Sequence, residues 1–199
     1  MKANFVFLLT AAIFLAACNT KPASNSNDNT GSATSDTTAK ADTAGKLNTP
    51  APVAVISDTQ FLATAYNIGL FEIKISKLAL QKSSDKNVKT FAAMIIHDHT
   101  AANINVKALL LKKNYAVPVE LPADLMDKAK ELSALNGNDF DKKYATINVD
   151  GHKGAIVLFT RVSTEGKDAD VRQLAASEIP TLQKHEEHAQ KLLTEITTP

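Results

Sequence analysis

The sequence predicts an all-α domain, a four-helix bundle with a long crossover containing a short helix between its second and third long helices. Three observations predict it. Four segments repeat apolar residues in alternating steps of three and four, a proline-bounded link separates the second from the third, and no strand-like stretch has a sheet to join.

The first helix follows Ser57, whose hydroxyl suits a cap while Gln60 reaches back to it, and its seam runs Phe61, Ala65, Ile68, Glu72, Ile75, Ala79 before a stop near Lys82. Ser84 or Asp85 caps the second helix, with Val88, Phe91 or Ala92, Ile95, His99, Ala102, Val106 and Leu109 on one seam. The pair forms an antiparallel hairpin. Pro118 and Pro122 then make a crossover, followed by a short helical pattern from Ala123 to Leu135 that Asn136-Gly137 ends.

Two readings compete for the third long segment. Phe140, Tyr144, Ile147, Gly151, Ala155, Leu158 and Val162 make a helical seam, whereas Asp150-Gly151 between β-branched residues also suits a tight hairpin. Helix is the better reading, because an isolated two-stranded hairpin is marginal alone. Gly151 and Gly154 each cost about 1 kcal/mol against alanine inside a helix, which suggests that each makes room for a close neighbour or a ligand. The last helix carries Val171, Leu174, Glu178, Leu182, His185, Ala189, Leu192 and Ile196, with Pro180 expected to bend it.

Ahead of the bundle, Lys2 precedes an apolar run from Phe5 to Ala17 that closes as Leu15-Ala16-Ala17-Cys18. A basic start, about a dozen apolar residues and small residues before a cleavage point describe an export signal too short to span a bilayer. Leu-Ala-Ala-Cys resembles the bacterial lipobox, which implies lipid on the Cys18 sulfur, acylation of the freed amine and cleavage before it. The expected organisation is a signal peptide over 1–17, the lipidated cysteine with a polar tether over 18–52, and the bundle over 53–199. From Asn19 to about Pro50 the chain is Ser, Thr, Asn, Asp, Ala and Lys and cannot bury enough surface to fold. A coil of that length spans on the order of 30 Å, enough to hold a domain clear of the headgroups.

The expected partner is therefore a bacterial membrane, reached through Cys18, with the domain facing the periplasm. Asn19 gives no inner-membrane retention signal of the aspartate kind, which favours the outer membrane. Twenty-two basic and 21 acidic residues nearly balance, and no basic stripe interleaves with aromatics, so nucleic acid is excluded as an expected partner. Cys18 is the only cysteine, which leaves the bundle without disulfides or thiolate ligands. Phosphate loops and serine elbows are missing, so nucleophilic catalysis has no support, and an enzymatic role ranks third with no substrate to suggest.

Chemistry concentrates in ionisable residues on apolar seams: Glu72, His99 and His185, with His152 beside the third seam. At about 1.5 Å per residue, Glu72, His99 and His152 fall within about 6 Å in height whether the two interhelical turns share an end of the bundle or lie at opposite ends. With the turns at opposite ends, His185 falls slightly outside the band. Carboxylate and imidazole converging from facing helices are how bundles build metal sites, and such donors suit zinc, iron or manganese. Asp98, Glu178 and Tyr144 are nearby candidates. Since Ile96, Val149 and Leu182 stand three before the histidines, the Glu-x-x-His pairs of a di-iron centre are missing and the donors suffice for one ion. His97 and His188 fall off the seams. The competing reading is that the buried Glu and His only fix helix packing.

Gly69-x-x-Glu72, Phe91-Ala92-x-Met94 leading to Asp98-His99, Phe140-Asp141-x-x-Tyr144 followed by His152, and Ile179-Pro180 with His185 resemble, over about Ser57 to Ile196, the bacterial family called domain of unknown function 4142. The resemblance implies a ferritin-like fold in an exported protein and no established activity. Gly151 and Gly154 are the main departure from the family pattern. The expectation is a cell-envelope lipoprotein that binds or carries out redox chemistry with one divalent metal; the alternative is a non-enzymatic structural or interaction protein of the envelope.

Overall fold

Ser57 opens the first helix as the sequence predicts: its hydroxyl accepts from Gln60 N while the Gln60 side chain accepts from Ser57 N. In this computed structural model, which describes residues 56–198, five helices follow one another: α1 (Asp58–Lys82), α2 (Lys86–Lys112), α3 (Ala123–Ala134), α4 (Gly137–Glu165) and α5 (Ala169–Thr197). No strand occurs among the described residues, so the hairpin alternative for 144–159 gives way to one continuous helix. The signal peptide, Cys18, the tether and the first residues assigned to the bundle lie outside the described residues.

Asp85 caps α2 through Asn87 N and Val88 N, and Asp168 caps α5 through Asp170 N and Val171 N. α1 pairs with α2 and α4 with α5, giving two hairpins. Their relative direction follows from their ends. The Asp58 carboxylate accepts from Lys167 N and Asp168 N, and Lys113 at the end of α2 pairs with Asp168 and Asp170, so the turn between α4 and α5 sits beside the start of α1. At the other end Lys82 donates to Ser133 O and Asn87 to Glu195. The long helices therefore run up, down, down and up, and the crossover with α3 climbs from the end of α2 to the start of α4. This is an all-α bundle with the single crossover expected from the sequence.

The apolar interior is divided in two. One cluster joins Phe71, Ile75, Val88, Phe91, Phe140, Tyr144 and Leu192; the other joins Phe61, Leu62, Val106, Leu110, Phe159, Val171 and Leu182. Between them lies a layer of buried polar side chains that belongs to neither.

The seams differ from the expected ones where a small or amide residue replaces an apolar neighbour. α4 buries Asn148, Val149, His152 and Phe159, while Ile147 and Leu158 are only half-buried and Gly151 is exposed. His152 is thus on the seam, not beside it. Asn148 enters the core with its Nδ2 donating to Tyr144 O within its own helix, while its Oδ1 is buried without a hydrogen-bond partner. Gly69 replaces Ile68 and Asn103 replaces Ala102 on α1 and α2 for a shared reason: the missing side chain of Gly69 admits the Asn103 amide, whose Nδ2 donates to Tyr66 O. α5 remains helical through Pro180.

Candidate metal centre

Each of the four long helices contributes one side chain to the polar layer: Glu72 from α1, His99 from α2, His152 from α4 and His185 from α5. The His152 and His185 rings are fully enclosed, and Glu72 and His99 are nearly so. Ring centroids stand 5.2 Å apart for His99 and His185, 5.2 Å for His152 and His185, and 5.7 Å for His99 and His152. One nitrogen from each ring lies within 4.8 Å of the other two. Glu72 joins the same cluster, with Oε2 2.8 Å from His99 Nε2 and Oε1 3.6 Å from His152 Nδ1.

The sequence placed His185 slightly outside this band, and the structure brings it in. Side chains on a helix lean toward its N terminus, so on the rising α5 the imidazole points back down into the layer.

Hydrogen bonds at the rear of two rings determine their tautomers. His152 Nδ1 donates to Asn148 O at 2.8 Å, and His185 Nε2 donates to Asp98 Oδ2 at 2.9 Å, since a carbonyl and a carboxylate can only accept. In the neutral rings this leaves lone pairs on His152 Nε2 and His185 Nδ1. Both atoms are buried without a hydrogen-bond partner, as are His99 Nε2 and Glu72 Oε2, which are close as a charge pair yet outside hydrogen-bond geometry. Buried polar atoms are rarely left unpaired, and the open nitrogens of His152 and His185 face the same layer as the Glu72–His99 pair.

Charge in the layer is strongly coupled. Burial by itself would raise the Glu72 carboxyl, but His99 and His152 outweigh it and hold it at about 2. His99 is raised above the usual imidazole value, because attraction to Glu72 exceeds the cost of burial. Burial, together with repulsion from His99 and His152, lowers His185 to about 4 against the opposing bond to Asp98. Without an ion the layer therefore holds a Glu72 carboxylate that favours the protonated form of His99, beside a His185 ring biased toward its neutral form.

The remaining candidates take other places. Asp98 stands behind His185, its other oxygen 2.7 Å from Nδ1 of the exposed His97. Tyr144 shares a 2.8 Å hydrogen bond with Ser76 and packs among Phe91 and Phe140 in the apolar cluster. Glu178 is half-buried and has its carboxyl raised by that burial. Gly151 does face a neighbour, Glu72, but Gly154 has none within 4 Å, contrary to the expectation that both make room for something. The group that orients His152 is the backbone carbonyl of Asn148 one turn earlier, which residue type does not signal.

The donor set fits a single ion. Three imidazoles and a carboxylate match the nitrogen- and oxygen-rich ligation of zinc or copper(II), and the carboxylate behind His185 is the usual partner of a metal-bound histidine.

A family described as Domain of unknown function (DUF4142) matches residues 37–192. Among solved structures, CopM in the Cu(I)-bound form is similar at 17% identity and a TM-score of 0.62, covering 72% of this chain and 99% of that one. A DUF305 fragment from Deinococcus radiodurans matches at 14% identity and 0.62, covering 72% and 99%. A DUF305 protein from Streptomyces coelicolor matches at 15% identity and 0.57, covering 72% and 96%. These likenesses show a common helical fold. No curated protein matches the sequence.

Proposed function

The chain belongs to the domain of unknown function 4142 family, and we propose that its bundle binds one divalent transition-metal ion through Glu72, His99, His152 and His185. The observation that carries this reading is the convergence of one buried side chain from each long helix, with His152 Nε2 and His185 Nδ1 unpartnered beside the 2.8 Å Glu72–His99 pair. Binding exchanges the proton on His99 for the metal, so affinity rises with pH as His99 deprotonates. Charge also favours a divalent ion: once His99 is neutral, Glu72 in direct contact and Asp98 behind His185 together carry two negative charges.

The CopM neighbours are described in Cu(II)-, Cu(I)- and Ag-bound forms, which supports a soft or borderline metal for this fold. The imidazole-rich ligands point the same way, toward copper(II) or zinc and away from manganese. The leader and Leu15-Ala16-Ala17-Cys18 support an exported protein held to a membrane by lipid, so the ion is bound in the cell envelope. The function is that of a binding or redox module for that ion.

Titration of the metal-free protein with Cu²⁺ or Zn²⁺ tests this. One equivalent should bind, and free metal at about 100 times Kd should stabilise the fold by about 2.7 kcal/mol. The variants H152Q and H185Q should each lose that stabilisation. Absence of stoichiometric metal and of any melting shift leaves the Glu72–His99 pair as a packing device only.

A further inference from the structure

On the α4 side, the buried carboxylate of the layer lies directly behind bare helix surface. Gly151 is exposed, and a Cβ built on it would meet one heavy atom within 4 Å beyond its own stretch of helix: Oε1 of Glu72, at 3.5 Å. Because side chains lean toward the helix N terminus, cover for Gly151 from within α4 would come from positions 154 and 155. Position 154 is a second exposed glycine, and Ala155 is turned into the core.

Packing does not call for either glycine. A Cβ at Gly154 meets nothing within 4 Å, and the 3.5 Å contact at Gly151 is ordinary van der Waals separation. Alanine would fit at both positions and stabilise the helix by about 1 kcal/mol each. Behind the gap, Glu72 is 3% exposed and its Oε2 has no hydrogen-bond partner. On the α2 side both Asp98 oxygens are held in hydrogen bonds, to His97 and to His185, and His99 is 8% exposed.

Resting on the metal-binding reading above, we propose that the Gly151–Gly154 surface is the port through which the ion enters and leaves, with Glu72 the first ligand it meets. The centre is then an exchanging site, suited to taking up a divalent transition-metal ion and giving it up again, and not a permanently loaded one.

The test is the rate at which the purified full-length protein takes up Cu²⁺ or Zn²⁺ and yields it to a chelator. In the variant Gly154→Leu the new side chain lies over Gly151 without touching Glu72, so uptake and release should both slow by roughly tenfold or more with Kd unchanged. Gly151→Ala should slow them less, and Ala93→Leu, on the exposed face of α2, should leave them as in the wild type. A folded Gly154→Leu protein that exchanges at the wild-type rate overturns the port while leaving metal binding intact. Slowing by His97→Ala in place of Gly154→Leu overturns it in favour of the Asp98 side. If the wild-type protein binds neither ion, the metal reading itself fails.

Discussion

Asp98 Oδ2 accepts the Nε2 hydrogen of His185 at 2.9 Å, so a partly exposed carboxylate determines which nitrogen of a fully buried ring faces the other three ligands. Removing such a carboxylate typically costs 10- to 100-fold in metal affinity. D98A should weaken Cu²⁺ or Zn²⁺ binding by about that factor while the one-to-one stoichiometry persists, as measured by chelator competition. Unchanged affinity in D98A would show that the ring is oriented by packing alone.

Stability of the metal-free protein should peak near the pKa of an unfolded histidine. His185 falls from 6.5 to about 4 on folding, so the unfolded chain binds the extra proton between those values and stability is lost as pH drops through that window. The loss amounts to up to about 3 kcal/mol. Glu72, lowered from 4.5 to about 2, adds a further loss below pH 4.5. His99 is raised, so its contribution is complete below pH 6.5 and disappears as pH climbs through its folded value. Urea midpoints measured from pH 4 to pH 9 should trace this maximum, and H185Q should flatten its acid side.

Tyr144 should matter to the fold and not to the ion. Its hydroxyl is spent on Ser76 at 2.8 Å, inside the apolar cluster. Y144F leaves the Ser76 hydroxyl buried and unpaired, at a cost of about 1–3 kcal/mol in denaturant unfolding. Metal affinity of Y144F should match the wild type; a large loss would place the phenol among the ligands.

Gly69 is a glycine that packing does require. A Cβ there would overlap the Asn103 amide, with Cγ at 2.9 Å, while that amide is tied to Tyr66 O. G69A should destabilise the protein by about 1–3 kcal/mol, and the double variant G69A/N103A should recover part of it. Additive losses in a double-mutant cycle would sink this account.

What the sequence disclosed depended on what kind of residue occupied each seam. The α1 cap, the Asp85 cap, the crossover prolines and the four helical periods were readable because each is a local signal. Glu72, His99 and His185 were readable as charged residues interrupting apolar rows. His152 was assigned to the side of its row because Gly151 occupied the apparent seam position, and a glycine offers no side chain by which to judge a face. Asn148, Asn103 and Ser76 are buried through hydrogen bonds to other residues, which hydropathy does not register. The tautomer-setting contact from Asp98 to His185 joins residues 87 positions apart and becomes visible only once α2 and α5 pack.

The four ligand candidates are divided evenly, Glu72 and His99 on the first hairpin and His152 and His185 on the second. The first pair precedes the crossover in the chain and the second follows it, with no member of the polar layer between them. A chain interrupted before residue 152 would thus own only half a binding pocket, however well its first hairpin had formed. Competence to hold an ion arrives in one step near the end of the polypeptide, which makes metal occupancy a certificate that the whole bundle has been completed and docked.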